Sequence, residues 1–247
     1  ENIIFWLNVR VPAGTTPGSY ELPLDIIIHQ VKQFEVIAKV EVLPFEVPVA
    51  DIAYGMYFRG VGPGKFMKPR HATPEHLRQY WRDMARHGMT SISWYASYSG
   101  PDVLDEHGNV RPLNGHPAVT ALEEMRDAGL IRPGIPIMWL GSNIVPYPES
   151  ARQVQNELTK RGLPELLAYG TDEPQVNQED RASFEAMRPL RKYMRNVTAI
   201  NDHGAIAYAD LIDVWVVHGG RITPALQELA AENGAEIWTY DHTIRGH

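Results

Sequence analysis

Leu166-Leu167-Ala168-Tyr169-Gly170-Thr171-Asp172-Glu173-Pro174 is the stretch on which the reading of the fold turns. It opens as a short apolar run, as a strand buried on both faces does. It ends in two adjacent carboxylates, and Pro174 stops the strand. A buried strand delivering acids at its C-terminal end is how barrel enzymes present reactive groups.

The chain on either side repeats this pattern. Strands are expected at 52–58, 91–96, 136–140, 166–171, 196–201, 213–218 and 236–240. Helices are expected between them. Thr73-Pro74 opens one that Gly88 ends, and 119–128 and 150–161 give two more, followed by Gly129 and Gly162. Asn177 caps the next, with Asp180 at the third position, and Pro189 should split it. A short turn precedes 213–218, and Thr223-Pro224 opens the last helix. Seven β units in order predict a parallel sheet and an α/β fold. The expected architecture is a TIM-type (β/α)8 barrel, truncated after its seventh strand. An open doubly wound sheet is the alternative. Gly60-Val61-Gly62-Pro63-Gly64 follows the first of these strands, but Pro63 and the lack of an immediate helix argue against a phosphate cradle.

Residues 1–48 read differently, as three strands at 5–11, 20–28 and 34–43. Leu22, Leu24 and Ile26 share one face, and Phe34, Val36, Ala38, Val40 and Val42 alternate with polar residues. Three strands do not close a sandwich. They are expected to be the C-terminal part of an immunoglobulin-like β-sandwich, with 49–247 the barrel domain. Residues 44–48 form the linker. Glu1 to Trp6 read as the middle of a strand and lack the basic start of a signal peptide, so the sequence is expected to begin inside a larger protein.

Composition bounds the function. The 247 residues are 44% hydrophobic and 21% charged, with a net charge of −7. That balance gives no electrostatic case for nucleic acid or an anionic membrane. No apolar run is long enough for a membrane span. The chain has no cysteine, which excludes disulfides and thiolate metal sites. Six Trp and eleven Tyr are present, several near expected strand ends.

A barrel places its chemistry where strands end. The expected rim is Tyr57 on the first strand, Trp94 and Tyr95 on the second, and Trp139 and Asn143 on the third. Asp172 and Glu173 close the fourth. Asn201 and His203 close the fifth, His218 the sixth, and Trp238, Tyr240 and Asp241 the seventh. Rings, amides and acids together suit a polyhydroxylated ligand, so a carbohydrate substrate is expected. Glycoside cleavage needs a proton donor and a group that stabilises the oxocarbenium-like transition state. Asp172 and Glu173 supply carboxylates for both. Strand alternation would send them to opposite faces, so both serve one site only if the backbone twists or bulges near Asp172.

Tyr169-Gly170-Thr171-Asp172-Glu173-Pro174 resembles the Asp-Glu-Pro motif of glycoside hydrolase family 123 and its barrel relatives. Thr16-Pro17-Gly18-Ser19-Tyr20 is similar to a Pro-Gly-x-Tyr turn of the modules that precede such barrels. Trp238-Thr239-Tyr240 matches loosely at the last strand. The resemblance implies a β-N-acetylgalactosaminidase-like enzyme using substrate-assisted catalysis, in which the substrate's own acetamide is the nucleophile. Asp172 would polarise that acetamide and Glu173 would be the acid/base, with no cofactor. It also implies a secreted or periplasmic location.

Three alternatives follow from the residues. A retaining glycosidase would pair Glu173 with Asp241 as nucleophile, their carboxyls ~5 Å apart rather than ~9 Å. A metal hydrolase would use His203, His218 and His242 with Asp172 or Asp241, but the first strand lacks the His-x-His pair such barrels carry. A non-catalytic carbohydrate-binding barrel is the third. An incomplete barrel also exposes strand edges, so self-association or further chain segments are expected to cover them. His71, His76, His87, His107 and His116 fall in loops or on helix surfaces and read as solvated.

Overall fold

The computed structural model describes residues 7–46, 52–57, 74–95, 102–140 and 143–240. The chain divides into two compact units, Glu1–Ile52 and Ala53–His247.

In the first unit, β1 (Gly18–Ile28) and β2 (Val31–Val42) form an antiparallel hairpin. His29 and Gln30 connect them with φ of 48° and 65°. Positive φ at both central positions is what a two-residue type I′ loop requires to match the twist of the strands. The register places Tyr20, Leu22, Leu24 and Ile26 opposite Val40, Ala38, Val36 and Phe34. Period-two alternation therefore gathers one apolar face. The other face pairs Glu21 with Lys39, and Lys32 sits 2.6 Å from Asp25 and 2.9 Å from Glu35. The expected third strand is corrected: residues 7–11 form no strand, and Phe5 and Trp6 lie outside the described residues. The described part of this unit is thus a two-stranded sheet.

The second unit is α/β. Among the described residues its parallel sheet has six strands, in the order β3-β4-β5-β6-β7-β8. These are β3 (Trp94–Tyr95), β4 (Ile137–Leu140), β5 (Leu166–Tyr169), β6 (Asn196–Ala199), β7 (Val214–His218) and β8 (Glu236–Tyr240). The helices are α1 (Pro74–Arg86), α2 (Pro117–Asp127), α3 (Pro148–Lys160), α4 (Gln178–Ala186), α5 (Asp202–Tyr208) and α6 (Pro224–Glu232). Sequence neighbours are sheet neighbours throughout, unlike a doubly wound sheet, where strand order reverses at a switch point.

Local chemistry sets the helix ends. Asn177 accepts from the Asp180 amide at 2.8 Å and donates back to its carboxylate at 2.9 Å. Thr223 accepts from Leu226 N at 3.2 Å, with Pro224 next in sequence. Pro189 does interrupt the helix: a short 3-10 turn, Leu190–Lys192, follows α4.

One strand expectation is corrected. Residues 52–57 form no assigned strand, but they run beside 90–93. Tyr54 O accepts from Thr90 N and Ser91 N at 2.9 Å each, and Met56 O from Ser93 N at 3.0 Å. Phe58 lies outside the described residues.

Alternate strand residues pack into two cores. Trp94, Ile137, Trp139, Leu166, Ala168, Trp215 and Val217 join Leu122, Leu158, Phe184 and Leu226 of the helices. Met138, Leu140, Leu167, Val197, Ala199, Val214 and Val216 form a second cluster on the opposite face, with Tyr169, Trp238 and Tyr240 against it. Each Leu buried here contributes about 1.5–3 kcal/mol, as an upper estimate. Burial on both faces is why β5 reads as a continuous apolar run rather than an alternation.

Candidate functional site at the C-terminal edge of the sheet

β5 ends at Tyr169, on the face away from the helices. Gly170 follows, where a Cβ would stand 2.8 Å from Cε1 of the Phe184 ring. The chain passes that close only because the residue has no side chain. It then runs along the end of β6. Gly170 N donates to Val197 O at 2.9 Å and Glu173 N to Ala199 O at 3.0 Å. Thr198 Oγ1 donates to Thr171 O.

Glu173 has φ of 44°, in the left-handed region that a residue with a Cβ seldom occupies. This is the backbone departure that the alternation argument required near the acid pair. The surroundings hold it. Gln175 Nε2 donates to Glu173 O at 3.1 Å, and Gln175 N to Asp180 Oδ2 at 2.7 Å. Tyr208 O–H donates to Gln175 O and accepts from Asn177 N at 3.1 Å. Pro174 is buried, while both acid side chains are exposed.

Tyr169 O–H donates to Asp172 Oδ1 at 2.6 Å and accepts from Ala199 N at 3.3 Å. Burial first, then the Asp172 carboxylate and Tyr57, push this phenol far above its ordinary value. Tyr169 therefore stays a neutral donor and fixes one oxygen of Asp172. Tyr57 O–H reaches Met138 Sδ at 4.0 Å on the same face.

His218 ends β7. Its Nδ1 accepts from Gly220 N at 3.3 Å, so the neutral ring carries its proton on Nε2. Tyr240 meets its ring edge-on at 5.7 Å. β6 separates β5 from β7, so those two strands run about 10 Å apart.

Other expected rim residues sit elsewhere. Trp94 and Trp139 are corrected to core residues. They lie on the helix side, 2% and 1% exposed, with ring centroids 5.5 Å apart. Strand parity decides this, because Met138 and Leu140 take the other face. Trp238 lies on the site face, but its indole N–H donates at 3.2 Å to Glu236, which begins β8. Its polar edge is thus turned from the strand end. Asn201 caps α5, its Oδ1 accepting from Gly204 N at 2.8 Å. His203 and Asn143 are exposed in the segments after β6 and β4. The Tyr95 side chain, Asp241 and His242 lie outside the described residues. Among the described residues, no group of three or more His, Asp or Glu could hold a metal ion. None of the described helices is long and apolar enough to cross a membrane.

Tyr169 is the residue that the sequence reading passed over. The signal was there: it is the last residue of the apolar run, three residues before Asp172.

No family model matches the chain, and no curated protein matches it. A solved structure that aligns is a mandelate racemase/muconate lactonizing enzyme from Jannaschia sp. CCS1, at 15% identity and a TM-score of 0.37. The alignment covers 70% of this chain and 46% of that one, so it spans under half of that protein's length. The glycoside hydrolase expectation is corrected on this finding: the structure that aligns is a mandelate racemase/muconate lactonizing enzyme and not a glycosidase.

Proposed function

We propose that the C-terminal edge of the parallel sheet is the active site of an enzyme on a barrel-type fold. Its chemistry is proton transfer on a small polar molecule held between the Asp172–Glu173 loop and His218. The observation that carries this reading is the pinned left-handed backbone at Glu173, beside a carboxylate fixed by Tyr169. A conformation of this kind costs of order 1–3 kcal/mol and persists only where its surroundings impose it. Acids positioned at a strand end in a parallel sheet are well placed for general acid–base work. The barrel is supported by the sequential strand order. Right-handed crossovers between successive neighbours set every helix on one face, as in a closed barrel. The resemblance of 169–174 to the Asp-Glu-Pro motif supports placing the two acids here, without the glycoside substrate. In this reading Glu173 transfers the proton, Asp172 orients the substrate, and the His218 Nε2–H donates from the far side.

The test is a panel of small carboxylates, amides and polyols incubated with the protein in D2O and followed by NMR for conversion or deuterium uptake. Glu173→Gln is expected to lower turnover of a converted compound by about 10²–10⁴-fold while leaving its binding in place. Turnover that survives Glu173→Gln would sink the proposal.

A further inference from the structure

His116 stands outside the site described above and is buried, at 6% exposure, rather than solvated as its loop position suggested. It is the N-cap of α2, and its Nδ1 accepts from Ala118 N at 3.3 Å. A histidine caps in this way only while Nδ1 is unprotonated. Nε2 then carries the proton, and it is buried without a hydrogen bond of good geometry, the Asp102 main-chain carbonyl being the acceptor near the ring. The Asp102 Oδ1 atom is also buried without a partner. A donor and an acceptor, each costly to leave unmade, thus belong to two groups that interact electrostatically.

We propose that His116 is a pH-sensitive cap. In its neutral form it holds the start of α2 through Ala118, and in its protonated form it releases that amide and pairs with the Asp102 carboxylate. The residues between them, 103–115, are the segment the exchange would rearrange. It is built to respond as a unit: Arg111 N donates to Val103 O at 2.8 Å, Arg111 Nε to Leu104 O at 3.1 Å, and Leu104 bridges to Val110. Ser150 Oγ ties it to α3 through Gly108 O at 2.6 Å.

The charges around the ring set the direction. Burial disfavours the imidazolium most strongly, and the Arg111 charge adds to that, while the Asp102 main-chain carbonyl and carboxylate oppose them. The positive end of the α2 dipole also disfavours a cation at the cap. His116 is consequently held below its ordinary value of 6.5. The unfolded chain then takes up the proton first. The capped state is fully stabilised above 6.5 and loses stability as pH falls from there through the folded value.

Amide hydrogen exchange at Ala118 and Val119 tests this, measured from about pH 7.5 to about pH 5 and corrected for intrinsic rates. The wild-type protein is expected to lose about fivefold in protection across that range, the scale of a lost cap. His116→Asn supplies a neutral cap at every pH and is expected to lose none. Asp102→Asn removes the anionic acceptor and is expected to move the transition to lower pH. Protection that tracks the intrinsic rate in the wild type overturns the proposal. So does an equal loss in His116→Asn, or an unmoved transition in Asp102→Asn.

Discussion

The β1–β2 hairpin and the β3–β8 sheet use comparable apolar residues to opposite effect. Leu22, Phe34 and Val36 are 39%, 56% and 45% exposed, although they share one face with their cross-strand partners. In the sheet, every residue of β4 and β6 is buried. The difference lies in layers. A hairpin has one sheet and no described second layer to press its face against. The parallel sheet has helices on one side and the Met138–Val216 cluster on the other. Apolar side chains stabilise a fold in proportion to the area removed from water, so similar sequences contribute unequally.

The largest expected effect that sharpens this contrast is in the sheet. Trp215 is fully buried, and its indole N–H donates to Ile212 O at 2.9 Å. Trp215→Ala is expected to cost about 3–5 kcal/mol, from lost burial, a residual cavity and an unpaired carbonyl. Equilibrium urea unfolding measures it, and a loss below about 1 kcal/mol would break the claim that this layer carries the stability.

Gly170→Ala comes next and links packing to the site. The new Cβ would meet the Phe184 ring, which is itself fully buried and stacked near Tyr208 at a centroid distance of 5.3 Å. Neither ring has room to retreat, so about 1–3 kcal/mol is expected. The displaced loop should also carry Glu173 with it. Unchanged stability in Gly170→Ala would show that the loop is less tightly held than its hydrogen bonds indicate.

The same contrast explains what was legible beforehand. Most strands and helices of the second unit could be read because apolar runs, caps such as Asn177 and Thr223, and breakers such as Pro189 act locally. The acids at the end of β5 were legible for that reason too. Trp94 and Trp139 were misplaced because the face that a two- or four-residue strand presents depends on register with its neighbours. One residue of parity separates a ring at the site from a ring in the core. Residues 52–57 looked like a strand by composition, but pair with 90–93 through too few ladder bonds to be one. His116 looked solvated because nothing in a glycine-rich loop announces that its ring is buried where it caps α2. The substrate was not legible at all. A motif of six residues names a loop, whereas specificity belongs to the whole lining of a site.

The smallest expected effect is the most informative about the hairpin. Phe34 faces Ile26 across the strands and is 56% exposed. Phe34→Ser removes little buried area and one cross-strand pair, which is worth about 0.2–1 kcal/mol. Unfolding of the 247-residue chain should then shift by less than about 1 kcal/mol, while binding of a dye that reports exposed apolar surface should fall. A loss above about 2 kcal/mol would mean that the face is covered in solution, because only a ring removed from water costs that much on truncation. The hairpin would then be a buried layer like the sheet, and the contrast would have to be redrawn around whatever covers Phe34.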